Sequence, residues 1–501
     1  MKEKKRKMKK YDLIVIGGGA GLFVAEAAIN VGLKCAIIEE YKLGGTCLTR
    51  GCIPTKIMVA TADLIREAER ANRVGLSFEK PVISWKRISD RLWGQINLSE
   101  KVADKLNSLD NVDYYNGTGS FIDEKTLKIL LKDNEEVIIE SETIVIASGV
   151  RTFIPNIEGL LGSDFITSET FFSDKYPDKP WESMVILGAG AIGAEFTHIF
   201  SSLGTKVSLV EMQDRILPLE EESISDLAKT VFESKGINVY TGYKAVKVSE
   251  EGGIKAVTLE SVKDGSVIEV KGHALFISSG MKSNTDKLNI ENSGVLTDER
   301  GYVITDKYLK TNKDHIYALG DINGKFQFRH KANYEAEIII NNVINKNENI
   351  RTASYDSVPW AIFTYPQIAH AGKTEREIRE IHDEYYVGIK KYSQVAAGIA
   401  LGYEREEYDE GFVKVIVSKE NKLLGVHIAG PYASVLIQPF VYLMNSKASC
   451  IREKDETCFT ELGIICPDLG SYNTVQEAMV IHPSLGELTA WAFNKLELKT
   501  K

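Results

Sequence analysis

At 501 residues the chain is too long for a single hydrophobic core, so about three domains are expected. A balance of 44% apolar and 26% charged residues is that of a globular protein in water, and no apolar run is long enough to span a membrane. The net charge of −9 argues against binding nucleic acid by bulk electrostatics. Residues 1–10 are strongly basic but lack the apolar stretch of a signal peptide, so a solvated basic tail is expected. Six cysteines are too few for a secreted disulfide scaffold and suit a cytoplasmic enzyme with one functional pair.

Residues 11–16 read as a buried parallel strand, and residues 17–21 are a glycine turn. An alanine-rich helix over 22–31 follows, then a second strand over 35–38 that ends in Glu39 and Glu40. This is a βαβ unit for a dinucleotide. Gly17 and Gly19 let backbone N–H groups approach a pyrophosphate at the helix start, and Glu39 can accept from a ribose diol. Leu22 stands where a third glycine is usual, so Gly21 is expected to take that role in a shortened turn.

Cys47 and Cys52 follow within Gly44-Gly45-Thr46-Cys47-Leu48-Thr49-Arg50-Gly51-Cys52-Ile53-Pro54-Thr55-Lys56. Their spacing does not suit a zinc site. It suits a redox-active disulfide, with two buried free thiols as the alternative. Five residues of regular helix rise about 7.5 Å, beyond the roughly 4.4–6.8 Å between the Cα atoms of a disulfide. The pair therefore needs a distorted helix start, and Gly51 supplies the freedom.

A second βαβ unit is cleaner. A strand over 184–187 leads into Gly188-Ala189-Gly190-Ala191-Ile192-Gly193, a helix runs over 194–203, and a strand over 206–210 ends at Glu211. A carboxylate there accepts from a free ribose 2′-hydroxyl and repels a 2′-phosphate, so NAD is expected over NADP. Two fingerprints flanking a cysteine pair imply two dinucleotides on one electron path, with the flavin in the first unit.

At this point the chain resembles the flavin-dependent pyridine-nucleotide disulfide reductases. Residues 144–149 are similar to the strand and turn that leave the family's FAD domain, and residues 274–280 to the end of its NAD domain. Residues 316–321 resemble the second FAD motif, residues 363–367 the start of the interface domain, and His482-Pro483-Ser484-Leu485-Gly486-Glu487 the motif of the catalytic base. The resemblance implies an α/β fold with two Rossmann-like domains and a C-terminal α+β dimerisation domain. Its expected boundaries are 11–155 and 284–352 for a split FAD domain, 156–283 for the NAD domain and 353–501 for the interface domain. It implies FAD contacts at Gly17, Gly19, Gly21, Glu39, Gly45, Thr46, Lys56, Ser148, Gly149, Gly320 and Asp321, and NAD contacts at Gly188, Gly190, Gly193, Glu211 and Gly280. Cys47 would be the interchange thiol and Cys52 the thiolate against the flavin. His482, oriented by Glu487, would move protons, and Lys56 would pair with Glu195. The active unit would be a homodimer in which His482 serves the other subunit's disulfide. No metal is expected.

Within the family the resemblance is strongest to dihydrolipoamide dehydrogenases, with a lipoyl-bearing protein as the implied partner. Glutathione reductases hold their substrate with arginines on the first helix, whereas residues 23–28 here contain no arginine and one acid, Glu26. A mercuric-reductase-like or quinone-reducing activity is the alternative, although the terminal cysteine pair of mercuric reductases is missing. A non-catalytic redox sensor or complex subunit is the rival of another class, and would not need the full catalytic set. Residues 449–472, with Cys450, Cys458 and Cys466, look like an insertion.

Overall fold

The computed structural model describes residues 8–419, 422–445 and 478–482. Glu487, the insertion with its three cysteines and residues 1–7 of the basic tail lie outside the described residues.

The first sheet has eight strands. Its parallel centre runs Val112–Phe121, Cys35–Glu39, Leu13–Ile16, Ile144–Ile146, Ile316–Ala318. The central residues Ile14, Val15, Ala36, Ile37 and Val145 are wholly buried, as continuous apolar runs covered on both faces should be. An antiparallel hairpin, Thr126–Leu131 with Glu136–Ser141, extends the outer edge. The single strand expected over 11–16 is divided at Asp12. Lys9–Tyr11 pairs with Glu136–Ser141, and Leu13–Ile16 enters the parallel centre. Asp12 fixes the break by accepting the Lys34 N–H at 2.8 Å.

The second sheet is fully parallel and runs Asn238–Thr241, Lys206–Glu211, Ser183–Leu187, Ala274–Ile277, Phe165–Ile166. A three-stranded antiparallel sheet lies beside it. A third body is a five-stranded antiparallel sheet, Trp360–Ile362, Ile368–Gly372, Leu423–Ala429, Phe412–Ser418, Tyr385–Lys391. Among the described residues no helix is long and apolar enough to cross a membrane.

The strand Ile316–Ala318 delivers the turn Gly320–Asn323 to the carboxyl edge of the first sheet. That turn is clamped from the helix Arg329–Ile339 by Lys331 and Glu335, both fully buried. Lys331 Nζ donates to Gly320 O at 2.9 Å and to Asn323 Oδ1 at 2.6 Å. Glu335 accepts from the Gly320 N–H at 2.6 Å and from Asn323 Nδ2 at 2.7 Å. Removing one half of such a buried pair strands the other charge. Lys331→Met is expected to lower stability by about 3–5 kcal/mol. A lowered unfolding midpoint in urea reads this out, and an unchanged midpoint contradicts it.

Candidate active site

The expected distortion of the cysteine segment takes the form of a broken helix. A short helix, Gly45–Thr49, carries Cys47, and a long one, Cys52–Arg70, begins at Cys52. Between them Arg50 and Gly51 leave helical geometry, with Gly51 at φ −146° and ψ −110°. The break folds Cys47 back over the start of the second helix. Both cysteines are free thiols. The ligand atoms of Cys47, Cys52 and His482 lie within 4.8 Å of one another.

The two thiols are electrostatically unequal. A hydrogen bond from Cys47, with the Lys56 charge behind it, lowers the Cys52 thiol to about 6 against the opposing effect of burial. The same contact, together with burial, raises Cys47 well above its ordinary value. The open N–H groups of the first helical turn favour an anion at Cys52 as well.

One turn further along, Lys56 Nζ meets both oxygens of Glu195 at 2.8 and 2.6 Å. Glu195 also accepts the Phe363 N–H at 3.0 Å, and Lys56 lies over the Phe363 ring. Glu195 sits on Ala191–Ser202, the helix that follows the second glycine turn. Two more links tie these helices together: Arg66 Nη2 to Ser201 Oγ at 2.9 Å, and His198 Nε2 with Asp63 Oδ1 at 2.8 Å.

His482 Nε2 lies 3.2 Å from Cys47 Sγ of the same chain. Ala478–Ile481 are buried in this chain, and the His482 N–H donates to His330 Nδ1 at 3.4 Å. His330 is fixed in turn by its Nε2–H, which donates to Pro359 O at 2.6 Å, and burial lowers it to about 4, so it remains a neutral acceptor.

The thiols open into a cleft of about 1120 Å³, open mouth included, that runs along the carboxyl edge of the first sheet. Gly17, Gly19, Glu39, Gly45, Thr46, Ser148, Gly149, Gly320 and Asp321 all line it. Gly21 and Lys56 do not line it. Gly21 instead closes the helix onto the sheet, where a Cβ would meet Val15 Cγ1 at 2.6 Å. Gly17 has φ +111°, and a Cβ there would meet Ala147 O at 2.2 Å, so the approach of turn to strand requires glycine. Glu39 braces the turn by accepting the Gly18 N–H at 2.7 Å and the Tyr41 N–H at 2.8 Å. Burial raises Asp321 to about 6.

The lining fits a flavin dinucleotide on the chain's own terms. Ser148 Oγ and Arg50 Nε are buried there without a hydrogen-bond partner in the protein. Arg50 and Arg329 add cations suited to a pyrophosphate. Sequence reasoning missed both. Arg50 lay in plain view between the cysteines, whereas Arg329 comes from a helix far along the chain and carries no local signal.

The second unit repeats the device. Glu211 accepts the Ala189 N–H at 2.8 Å and the Gln213 N–H at 2.9 Å, as Glu39 does in the first. Gly188 has φ +101°, and a Cβ on Gly193 would meet Gly188 O at 1.9 Å. Gly190 precedes the helix in extended geometry, and Gly280, at φ +117°, follows the edge of Ala274–Ile277. These residues form a second glycine turn with a carboxylate at the end of the neighbouring strand, as a pyridine dinucleotide needs.

The family described as pyridine nucleotide-disulphide oxidoreductase matches residues 11–336, and its dimerisation domain matches residues 358–462. A dihydrolipoyl dehydrogenase of Rhizobium etli is 32% identical over 454 residues, covering 87% of this chain and 92% of that protein. A mycothione reductase of Mycobacterium tuberculosis is 32% identical over 444 residues, covering 87% and 93%. The Cu(II) complex of the HOCl-induced flavoprotein disulfide reductase RclA from Escherichia coli superposes with a TM-score of 0.76 at 25% identity, covering 91% of this chain and 98% of that one. By these matches and by its two glycine turns, the chain belongs to the pyridine nucleotide-disulphide oxidoreductase family.

Proposed function

We infer that this enzyme passes two electrons between a dithiol substrate and NAD through Cys47 and Cys52, in the manner of a dihydrolipoamide dehydrogenase. The observation that carries the reading is the convergence of Cys47, Cys52 and His482 at the mouth of the flavin cleft. Bound FAD supplies a two-electron acceptor that can exchange with both a thiol pair and a nicotinamide.

The chain's own groups do the remainder. In the oxidised state a substrate thiol gives its proton to His482 and attacks Cys47 Sγ. The Cys47–Cys52 bond breaks, Cys52 leaves as a thiolate, and a mixed disulfide stands on Cys47. The second substrate thiol then attacks the substrate sulfur of that bond. It releases the cyclic disulfide and leaves Cys47 and Cys52 reduced by two electrons. The low Cys52 value makes it the better leaving group, so attack falls on Cys47, and His482 returns its proton to Cys47 as the cyclic disulfide is released. Lys56, held by Glu195, supports the Cys52 anion. Glu487 is assigned to orient His482.

Glu211 favours NAD, because its carboxylate at the second turn would repel a 2′-phosphate. The first helix offers no arginine to an anionic substrate, and its one acid, Glu26, would repel one, so an uncharged lipoyl arm fits best. The boundaries that suit this layout are 11–155 and 284–352 for the flavin unit, 156–283 for the NAD unit and 353–501 for the dimer unit. The dimerisation domain supports a homodimer, a lipoyl-bearing protein is the proposed partner, and the proposed location is the cytoplasm.

Purified FAD-loaded protein is expected to form NADH from NAD and free dihydrolipoamide, with turnover falling by about a thousandfold or more in Cys47→Ser and about a hundredfold or more in His482→Ala. Absence of turnover, with NADH still reducing the thiol pair, would move the substrate to another small disulfide. In the proposed homodimer His482 serves the neighbouring subunit's disulfide, so mixed dimers of Cys47→Ser and His482→Ala chains are expected to recover activity at one of their two sites. Mixed dimers that stay inactive would assign the histidine to its own chain, beside Cys47.

A further inference from the structure

Outside the active site, a second cluster of metal-ligating side chains lies where the antiparallel sheet meets the loop ahead of the helix Glu222–Ser234. Trp360, His370 and His427 stand in register across three neighbouring strands. Glu220 reaches them from the loop, and ligand atoms of Glu220, His370 and His427 lie within 4.8 Å of one another. All three are buried, at 4%, 1% and 0% exposure.

The protons on the imidazoles follow from their neighbours. His370 Nε2 faces Gly372 O at 3.0 Å, and His427 Nε2 faces Lys373 O at 3.0 Å. A carbonyl accepts only, so each Nε2 carries the hydrogen and each Nδ1 is left with a lone pair. His370 Nδ1 then points at Glu220 Oε2 at 3.1 Å, one acceptor against another. Either a second proton on His370 or a cation must lie between them. A proton on His370 alone leaves His427 unexplained, because His427 Nδ1 is buried with no hydrogen-bond partner.

Charge points the same way. Lys414 is taken by Glu221 at 2.6 Å and Glu375 at 2.5 Å, and Arg379 reaches Glu375 at 2.6 Å. Those two cations answer those two carboxylates. Among the described residues Glu220 has, besides His370, only the neutral Trp360 Nε1–H on its other oxygen, at 2.5 Å, and a buried carboxylate without a countercharge is costly. Imidazoles whose far nitrogens donate to backbone carbonyls are the usual setting of metal-bound histidines.

We propose that Glu220, His370 and His427 bind a divalent transition-metal cation of the zinc class, bracing the antiparallel sheet against the loop of the second nucleotide unit. Two nitrogens and one oxygen at about 2.0–2.2 Å, with a fourth ligand from water, would complete the coordination.

The test uses protein isolated with its flavin and oxidised at Cys47 and Cys52, so that the active-site thiols cannot hold metal. From cells supplied with Zn²⁺, wild-type protein should carry about one zinc per chain. His427→Gln and Glu220→Gln should each lose about tenfold or more of it while keeping flavin content and turnover. Glu220→Gln keeps an acceptor for Trp360, which guards against a simple folding failure. Cobalt-grown protein should show the ligand-field bands of nitrogen and oxygen donors without a thiolate charge-transfer band. Wild-type zinc below about a tenth of an equivalent would leave a hydrogen-bonded His370–Glu220 clasp and overturn the proposal. So would equal zinc in the variants, or a thiolate band from cobalt.

Discussion

The active site depends on the contact between two helices, Cys52–Arg70 and Ala191–Ser202, and on the Lys56–Glu195 pair at its centre. The first helix begins at one redox thiol and the second begins at the pyridine-nucleotide turn. Holding them together ties the thiol-bearing helix to the second dinucleotide unit. The ion pair is mostly buried, so neither charge could stay without the other. Its lysine has a second effect, since it is one of the charges that favour the Cys52 anion. One interaction thus serves both the docking of the units and the reactivity of the thiol. Phe363 completes it from a third direction, with its N–H on Glu195 and its ring under Lys56.

The parts legible in the sequence are those whose chemistry is local. Both glycine turns could be read because a positive φ and a close backbone approach leave few alternatives to glycine, as Gly17 and Gly188 show. The carboxylates ending the next strands were legible for the same reason. Their backbone bonds were not: Glu39 and Glu211 each tie down a turn N–H in addition to any ligand role. The α/β class and the family followed from the order of these pieces. What the sequence hid is whatever depends on distant residues meeting. Arg329 enters the cleft from a helix whose sequence carries no phosphate-binding signal, and Lys331 with Glu335 looks like an ordinary surface pair until the fold buries it. The strand expected over 11–16 failed for a short-range reason, because a single polar residue, Asp12, bonds to the next loop and splits it.

Buried charge recurs as the way the units are joined. Lys56 with Glu195, and Lys414 with Glu221, join neighbouring bodies, while Lys331 with Glu335 clamps a turn within one of them. Apolar packing alone would tolerate sliding between such bodies, whereas paired charges fix position and orientation. Electron transfer between a thiol, a flavin and a nicotinamide needs that fixity. The Glu220 cluster is the exception, a buried carboxylate whose side-chain partners among the described residues are Trp360 and His370.

The central claim is that the two thiols are unequal, with Cys52 the stable anion and Cys47 the exchanging thiol. Titrating thiolate ultraviolet absorbance in the reduced wild-type protein against the Cys47→Ser/Cys52→Ser double variant, with alkylation identifying which cysteine reacts at each pH, measures it directly. The account predicts that the first thiolate forms near 6 and is Cys52, and that Cys47 ionises only well above the ordinary thiol range. The reverse order, or two ordinary thiols, would contradict it.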